Sequence, residues 1–179
     1  VLLVGNRPIS DSTAILSFIV DERPGSISAT AEEWMMEDWA DTALNAFVVA
    51  SRWADARNWP RVRDTFFGQG PWFVRSVIAP MIRKKQIGNA VSRDVWRGGP
   101  DACWASFERT LDLLDTRTRR HEFFSGPRLS VADLGIFGQL HALRNDLTPW
   151  QRDAIAARPG LTRYLDRVDE ATRSRANQA

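Results

Sequence analysis

The stretch Leu129-Ser130-Val131-Ala132-Asp133-Leu134 constrains this chain more than any other segment. Ser130 is placed to accept a hydrogen bond from the amide of Asp133, and Asp133 to accept one from the amide of Ser130. Leu129 and Leu134 occupy the two positions of a hydrophobic staple. Ser130 and Asp133 therefore read as a structural capping box at the start of a helix over 131–143. That helix is apolar nearly all round. A helix without a polar face must be surrounded by other helices. Gly135 and Gly138 are expected to let those neighbours approach closely. The fold that follows is a helical bundle.

The chain on either side fits this picture. From Ala31 onward every long segment has helical periodicity. The segment 32–59 carries Met35, Trp39, Ala43, Phe47, Ala50 and Ala54 at three- and four-residue steps, which predicts a core-facing stripe. Thr30 and Glu33 have the capping-box spacing, and Pro60 is expected to end the helix. A short helix or turn over 61–67 leads into the break Gly68-Gln69-Gly70-Pro71. A second stretch over 72–91 is expected to bend at Pro80. After Gly98-Gly99-Pro100, a long helix over 101–121 places Trp104, Phe107, Leu111 and Leu114 on one side. Thr148-Pro149 starts another helix with proline in the first turn, where its missing N–H costs nothing. Arg158-Pro159-Gly160-Leu161 reads as a break before a polar last helix over 162–174.

The first 20 residues differ in kind. Val1-Leu2-Leu3-Val4, the turn dipeptide Gly5-Asn6 and Arg7-Pro8-Ile9 read as a β-hairpin, with Pro8 on an edge strand. Ser10-Asp11-Ser12 precedes a short buried helix over 13–19. Asp21 to Thr30, rich in Pro, Gly, Ser and Thr, reads as a linker. The expected organisation is an α/β piece over 1–20, a linker over 21–30, a helical domain over 31–174 and a fraying tail over 175–179. The opening Val leads us to expect a piece of a longer protein.

Composition narrows the function classes. Acids and bases nearly balance, 22 against 24, for a formal net charge of +2. The bases are interleaved with acids along helices, so no nucleic-acid partner is expected. Arg83-Lys84-Lys85 and the group Arg117 to Arg120 read as solvated helix faces. No apolar run approaches the roughly 20 residues of a membrane helix, so no membrane partner is expected either. Cys103 is the only cysteine, and there are two histidines. That set supports neither a disulfide framework nor a metal site. Cys103 is expected to be a small core residue, His121 an exposed helix-end residue and His141 a hydrogen-bonded core histidine. Gly68-Gln69-Gly70 and Gly98-Gly99 are chain breaks, since neither links a strand to a helix as a dinucleotide loop does.

Taken in order, three segments resemble the glutathione transferase family. Residues 1–12 resemble its third and fourth strands and the acid-Ser pair that opens its third helix. Ser130-Val131-Ala132-Asp133 resembles the Ser/Thr-x-x-Asp box of its buried C-terminal helix. Arg158 to Tyr164 resembles its Pro-x-Leu segment. The resemblance implies a mainly α chain: an all-helical glutathione-transferase-like C-terminal bundle preceded by a partial thioredoxin-like α/β segment. The stretch 61–99 is longer and richer in Trp and Pro than a compact member needs, and resembles the extended domains of divergent branches such as metaxin-like proteins.

The functional implications come from the resemblance. The full-length form is expected to bind glutathione as substrate and transfer it to a small electrophile, as a cytoplasmic homodimer. The alternative is a non-catalytic binding or scaffold protein on the same fold. The thiol-activating residue would lie upstream of Val1, so no catalytic residue is expected in this chain. Asp11 and Ser12 would hold the γ-glutamyl end of glutathione. A helix start favours an anion, the Ser12 hydroxyl adds a donor, and Asp11 offers a charge to the ammonium. Read from the tripeptide alone, either residue is a helix cap, and both roles can coexist. Trp34, Met35 and Trp39 would line a second-substrate pocket, although for any one of them bundle core or dimer interface is the commoner fate. Asp38 or Asp41 could reach a ligand ammonium.

Overall fold

A computed structural model of the chain describes residues 1–176. The chain opens with strands β1 (Leu2–Val4) and β2 (Arg7–Ile9), paired antiparallel with Leu2 opposite Ile9 and Val4 opposite Arg7. Gly5 makes the turn at φ 58°, a conformation that favours glycine. Helix α1 (Ser12–Glu22) follows, and its Leu16, Ile19 and Val20 pack on the bundle core.

The segment after α1 is tied down. Ile27 is buried. The Ser28 amide donates to the Leu129 carbonyl at 2.8 Å, and the Val131 amide donates to the Ser28 carbonyl at 3.0 Å. Arg128 also donates to the Gly25 carbonyl at 2.7 Å. A stretch that reads as a loose connection thus forms a one-residue bridge to the start of the buried helix.

The next helical rod is continuous but not uniform. It comprises α2 (Ala31–Trp39), a π-helical turn Ala40–Leu44, α3 (Asn45–Val49) and a second π-helical turn Ala50–Ala54. Thr30 and Glu33 form the expected capping box. The predicted stripe is correct at Phe47, Ala50 and Ala54 and wrong at its start. Met35 is 72% exposed, while Glu33 and Glu37 are buried. The reason is local pairing. Glu33 is drawn inward by the Thr30 amide, and Glu37 by the Thr13 hydroxyl of α1, at 3.0 Å. Hydropathy assigns acids to solvent and cannot see such partners.

The rod ends at Ala54 rather than at Trp59. Asp55 takes an extended conformation (ψ 116°), and its carboxylate receives Arg57 at 2.7 Å and Gln151 at 3.3 Å. Trp59 instead opens α4 (Trp59–Phe67), with Pro60 in its first turn. A π-helical turn Val74–Ile78 then leads into α5 (Ala79–Ser92). Pro80 sits in the first turn of α5. Helix α4 turns back against Val74–Ile78, which runs on into α5, and this α4–α5 hairpin sits on the Ala50–Ala54 turn with Val62, Ala79 and Ala90 fully buried.

The bundle is completed by α6 (Gly99–Thr118), α7 (Val131–His141), α8 (Pro149–Ala156) and α9 (Pro159–Ala176). Helix α7 packs on α2, the Ala40–Leu44 turn and α9. Its Val131, Ala132, Ile136 and Leu140 have no solvent exposure. Gly135 lets α2 approach closely, since a Cβ would lie 3.2 Å from Glu37 Cγ and 3.3 Å from its Cα. Gly138 has no such neighbour and faces solvent. His141 is likewise exposed, stacked on Phe137 with ring centroids 5.0 Å apart. The expectation of a core histidine fails because α7 turns one face outward in its last turn.

Helix α9 starts at Pro159, where the sequence reads as a break. Asp115 of α6 supplies the missing cap by accepting the Leu161 amide at 2.8 Å. Gly160 makes room for it, since a Cβ would meet Asp115 Oδ1 at 2.7 Å. Of the tail 175–179, residues 177–179 lie outside the described residues.

Candidate functional site

Asp11 and Ser12 stand at the N-terminus of α1. Asp11 has extended backbone (φ −100°, ψ 141°) and caps the helix, its Oδ1 accepting the Ala14 amide at 2.9 Å. Ser12 is exposed, and among the described residues its hydroxyl has no hydrogen-bond partner. It borders a cleft of about 230 Å³ between α1, the rod and α7, with Ile15 beside it and Glu37, Asp41 and Gly135 on the other walls. Burial pushes the Glu37 carboxyl above its ordinary value. The Thr13 hydroxyl opposes this, and the charges of Asp41, Asp38 and Asp11 add to it. The cleft therefore has an exposed hydroxyl at a helix start on one side and two acids on the other.

A larger cavity of about 740 Å³ opens on the far side of the rod, with Trp39, Asp41, Phe47, Arg93, Val95 and Thr110 among its walls. Asp41 borders both spaces. A chain of side-chain hydrogen bonds holds this wall. Arg93 donates to Asn45 Oδ1 at 2.8 Å, Asn45 to Gln139 Oε1 at 3.1 Å, and Gln139 to Asp41 Oδ1 at 3.1 Å. Asp94, next to Arg93 on the cavity wall, has φ 64°, the one positive φ among the described non-glycine residues. The cavity thus offers an aromatic and aliphatic floor with a guanidinium and a carboxylate held at its edge.

Of the three residues expected to line a second-substrate pocket, Trp39 alone borders this cavity. Trp34 packs half-buried against the core, and Met35 points into solvent. The structure therefore does not bring the three together. Asp38 is exposed, whereas Asp41 is engaged by Gln139. Arg93, Asn45 and Gln139 were not singled out from the sequence. They are 48 and 94 positions apart along the chain from one another's partners, and no local pattern links them.

The capped start of α7 is a structural centre. Asp133 Oδ2 accepts the Ser130 amide at 2.8 Å and the Ser130 hydroxyl at 2.6 Å. Its Oδ1 accepts the Phe124 amide at 2.7 Å and the Tyr164 hydroxyl at 2.8 Å. All four lone-pair sites of a carboxylate are filled. Burial, then Asp133 itself, hold the Tyr164 hydroxyl well above the ordinary phenol range. Cys103 is buried, and burial pushes its thiol up to about 12. It stays a thiol at neutral pH and cannot act as a nucleophile. Among the described residues no three His, Cys, Asp or Glu side chains cluster as a metal site.

An exposed-rim cleft beside an N-terminal α/β piece, set against a bundle built around a capped buried helix, defines the class: a mainly α protein with a cleft beside the capped helix. The family profile described as glutathione S-transferase, C-terminal domain, matches residues 90–167. Residues 90–167 are thus similar to the C-terminal domain of glutathione S-transferases. The match takes in α6 to α8 and the first half of α9, and leaves all but the last residues of the α4–α5 hairpin outside it. No curated protein matches the chain.

Proposed function

We propose that the protein binds glutathione in the cleft between α1, the rod and α7, and that its full-length form transfers glutathione to a small electrophile. The observation that supports this most is Ser12, whose free hydroxyl stands at a helix start on the cleft rim. The helix-start amides and this hydroxyl suit the γ-glutamyl carboxylate. Asp11, through the oxygen that does not cap α1, suits the ammonium, and Glu37 and Asp41 add negative charge beside it. The cavity at Trp39 is the proposed place of the electrophile, because its floor is apolar and its polar groups lie at the edge. The activating group for the glutathione thiol is not assigned to any residue of this chain, and Cys103 is ruled out by its burial. The same reading carries a homodimer, to be checked by sedimentation.

The test is calorimetric titration of glutathione into the full-length protein and its Ser12→Ala variant. The variant is expected to lose about 1–3 kcal/mol of binding, the range for a hydrogen bond to a charged group. If neither protein binds glutathione, Ser12 is only the first residue of a helix and the scaffold reading takes over. The exposed aromatic hairpin is the observation that favours this second reading. Turnover of a chromogenic electrophile by a protein that binds glutathione separates the two.

A further inference from the structure

The hairpin of α4 and α5 is unlike the rest of the molecule in two respects. It concentrates exposed apolar side chains. Of the eleven large apolar residues exposed among the described residues, six lie in 59–92: Phe66, Trp72, Phe73, Val77, Met81 and Val91. They are not marginal cases, since Trp72 is 76% exposed, Met81 65% and Val77 58%. It also concentrates positive charge. Residues 59–92 hold six bases and one acid, a net +5, while the whole chain carries +2, so the remainder carries −3.

The single acid is already neutralised. Asp64 pairs with Arg63 and with Arg75, both at 2.9 Å. Arg83 is an internal strut, donating to the Trp53 carbonyl at 2.9 Å and lying over the Trp59 ring at 4.9 Å. Lys84 and Lys85 are exposed and have no ion pair among the described residues. The hairpin is also firmly seated on its inner side, where Val62, Ala79 and Ala90 are buried and Trp53 contacts Phe66 and Phe67. Its exposed face is therefore a property of the folded molecule.

We propose that this hairpin docks the protein on an anionic phospholipid surface, with Trp72 and Phe73 at headgroup depth and Lys84 and Lys85 against the lipid phosphates. Charge complementarity selects this occupant. A second copy meeting the face symmetrically would set Lys84 and Lys85 against like charge. A bilayer with anionic lipid supplies the opposite charge and also an apolar layer for protruding aromatic rings, the arrangement of interfacial helices. Tryptophan suits that depth because its ring is apolar and its N–H is polar. No helix among the described residues is long and apolar enough to cross a membrane, so the contact is peripheral. This inference does not depend on glutathione binding.

The experiment is co-sedimentation of the 179-residue chain with vesicles of equal parts phosphatidylcholine and phosphatidylglycerol, and with vesicles of phosphatidylcholine alone. Binding to the mixed vesicles is expected to be at least ~10-fold tighter and to weaken with salt. Removing both lysines (Lys84→Ala with Lys85→Ala) is expected to weaken it about 30-fold, from about a factor of five for each cation near the surface. Trp72→Ser with Phe73→Ser is expected to weaken it by about 10-fold or more. Both pairs are exposed, so circular dichroism melts should match wild type. Arg109→Ala with Arg120→Ala removes the same charge elsewhere and is expected to leave binding within about twofold. Absence of binding to the mixed vesicles, or an equal loss from the Arg109 and Arg120 pair, overturns the proposal. So does loss of self-association in the hairpin variants without vesicle binding, which would make the face a protein contact.

Discussion

Helix α7 and the α4–α5 hairpin are both rich in large apolar side chains, yet one is enclosed and the other faces outward. Helix α7 lies between the rod and α9, and its buried start is held by four hydrogen bonds to one carboxylate. The hairpin packs against the rod, and the described residues leave its remaining aromatic surface uncovered. The difference teaches that apolar content sets how much surface seeks cover, while the number of neighbouring elements sets how much is covered. In α7 a polar group can then be buried at the centre because every lone pair is used. In the hairpin Trp72, Val77 and Met81 stay exposed.

Substitutions at the two regions should differ in what they cost. The largest effect is expected for Asp133→Ala, which strands two amides and two hydroxyls in the core. Urea unfolding should show a loss of about 4 kcal/mol. A loss below about 1 kcal/mol would mean that α7 is held by packing alone.

Asp115→Ala comes next, at about 2–3 kcal/mol, because it uncaps α9 and frees Arg119. It also carries a pH signature. Burial pushes the Asp115 carboxyl up, but the Leu161 amide, the Arg119 guanidinium and the Gly160 amide outweigh this and leave it below its ordinary value of 3.8. The folded state therefore binds the proton more weakly than the unfolded chain. This stability is present above pH 3.8 and is lost as the pH falls through the folded value. The wild type should lose stability over that range, and the variant should lose less.

Tyr164→Phe tests the same centre more gently. It removes one hydrogen bond to Asp133 and leaves the other three, for an expected loss of about 1.5–3 kcal/mol in the same assay. Trp72→Ser should give the smallest change, within about 0.5 kcal/mol of wild type, because the ring touches little of the bundle. A loss as large as that of Tyr164→Phe would show that the hairpin is covered in solution and would end the contrast.

Most of the helical organisation was legible because its signals are local. The capping boxes at Thr30 and Ser130 involve residues three apart, so each can be read without knowing the fold. The apolar character of 131–143 called for a surrounding bundle for the same reason. Cys103 could be placed in the core from its neighbours. The candidate site was less legible. Asp11 and Ser12 were found at a helix start, but the cleft they border depends on Glu37, Asp41 and Gly135, which arrive from other elements. Met35 fitted the apolar period and was misplaced, since the rod turns Glu33 and Glu37 inward to partners supplied by Thr30 and α1.

Local patterns along the chain mark where helices begin, which are apolar, and that the first 20 residues differ from the rest. Only the tertiary structure decided that Asp115 caps α9 across 46 residues, that Tyr164 closes on Asp133, and that the face bearing Trp72 is left open. The physical reason is one of range. A cap or a helical period is set by residues a turn apart, whereas burial depends on which distant segments come to lie alongside, and a linear pattern does not record them.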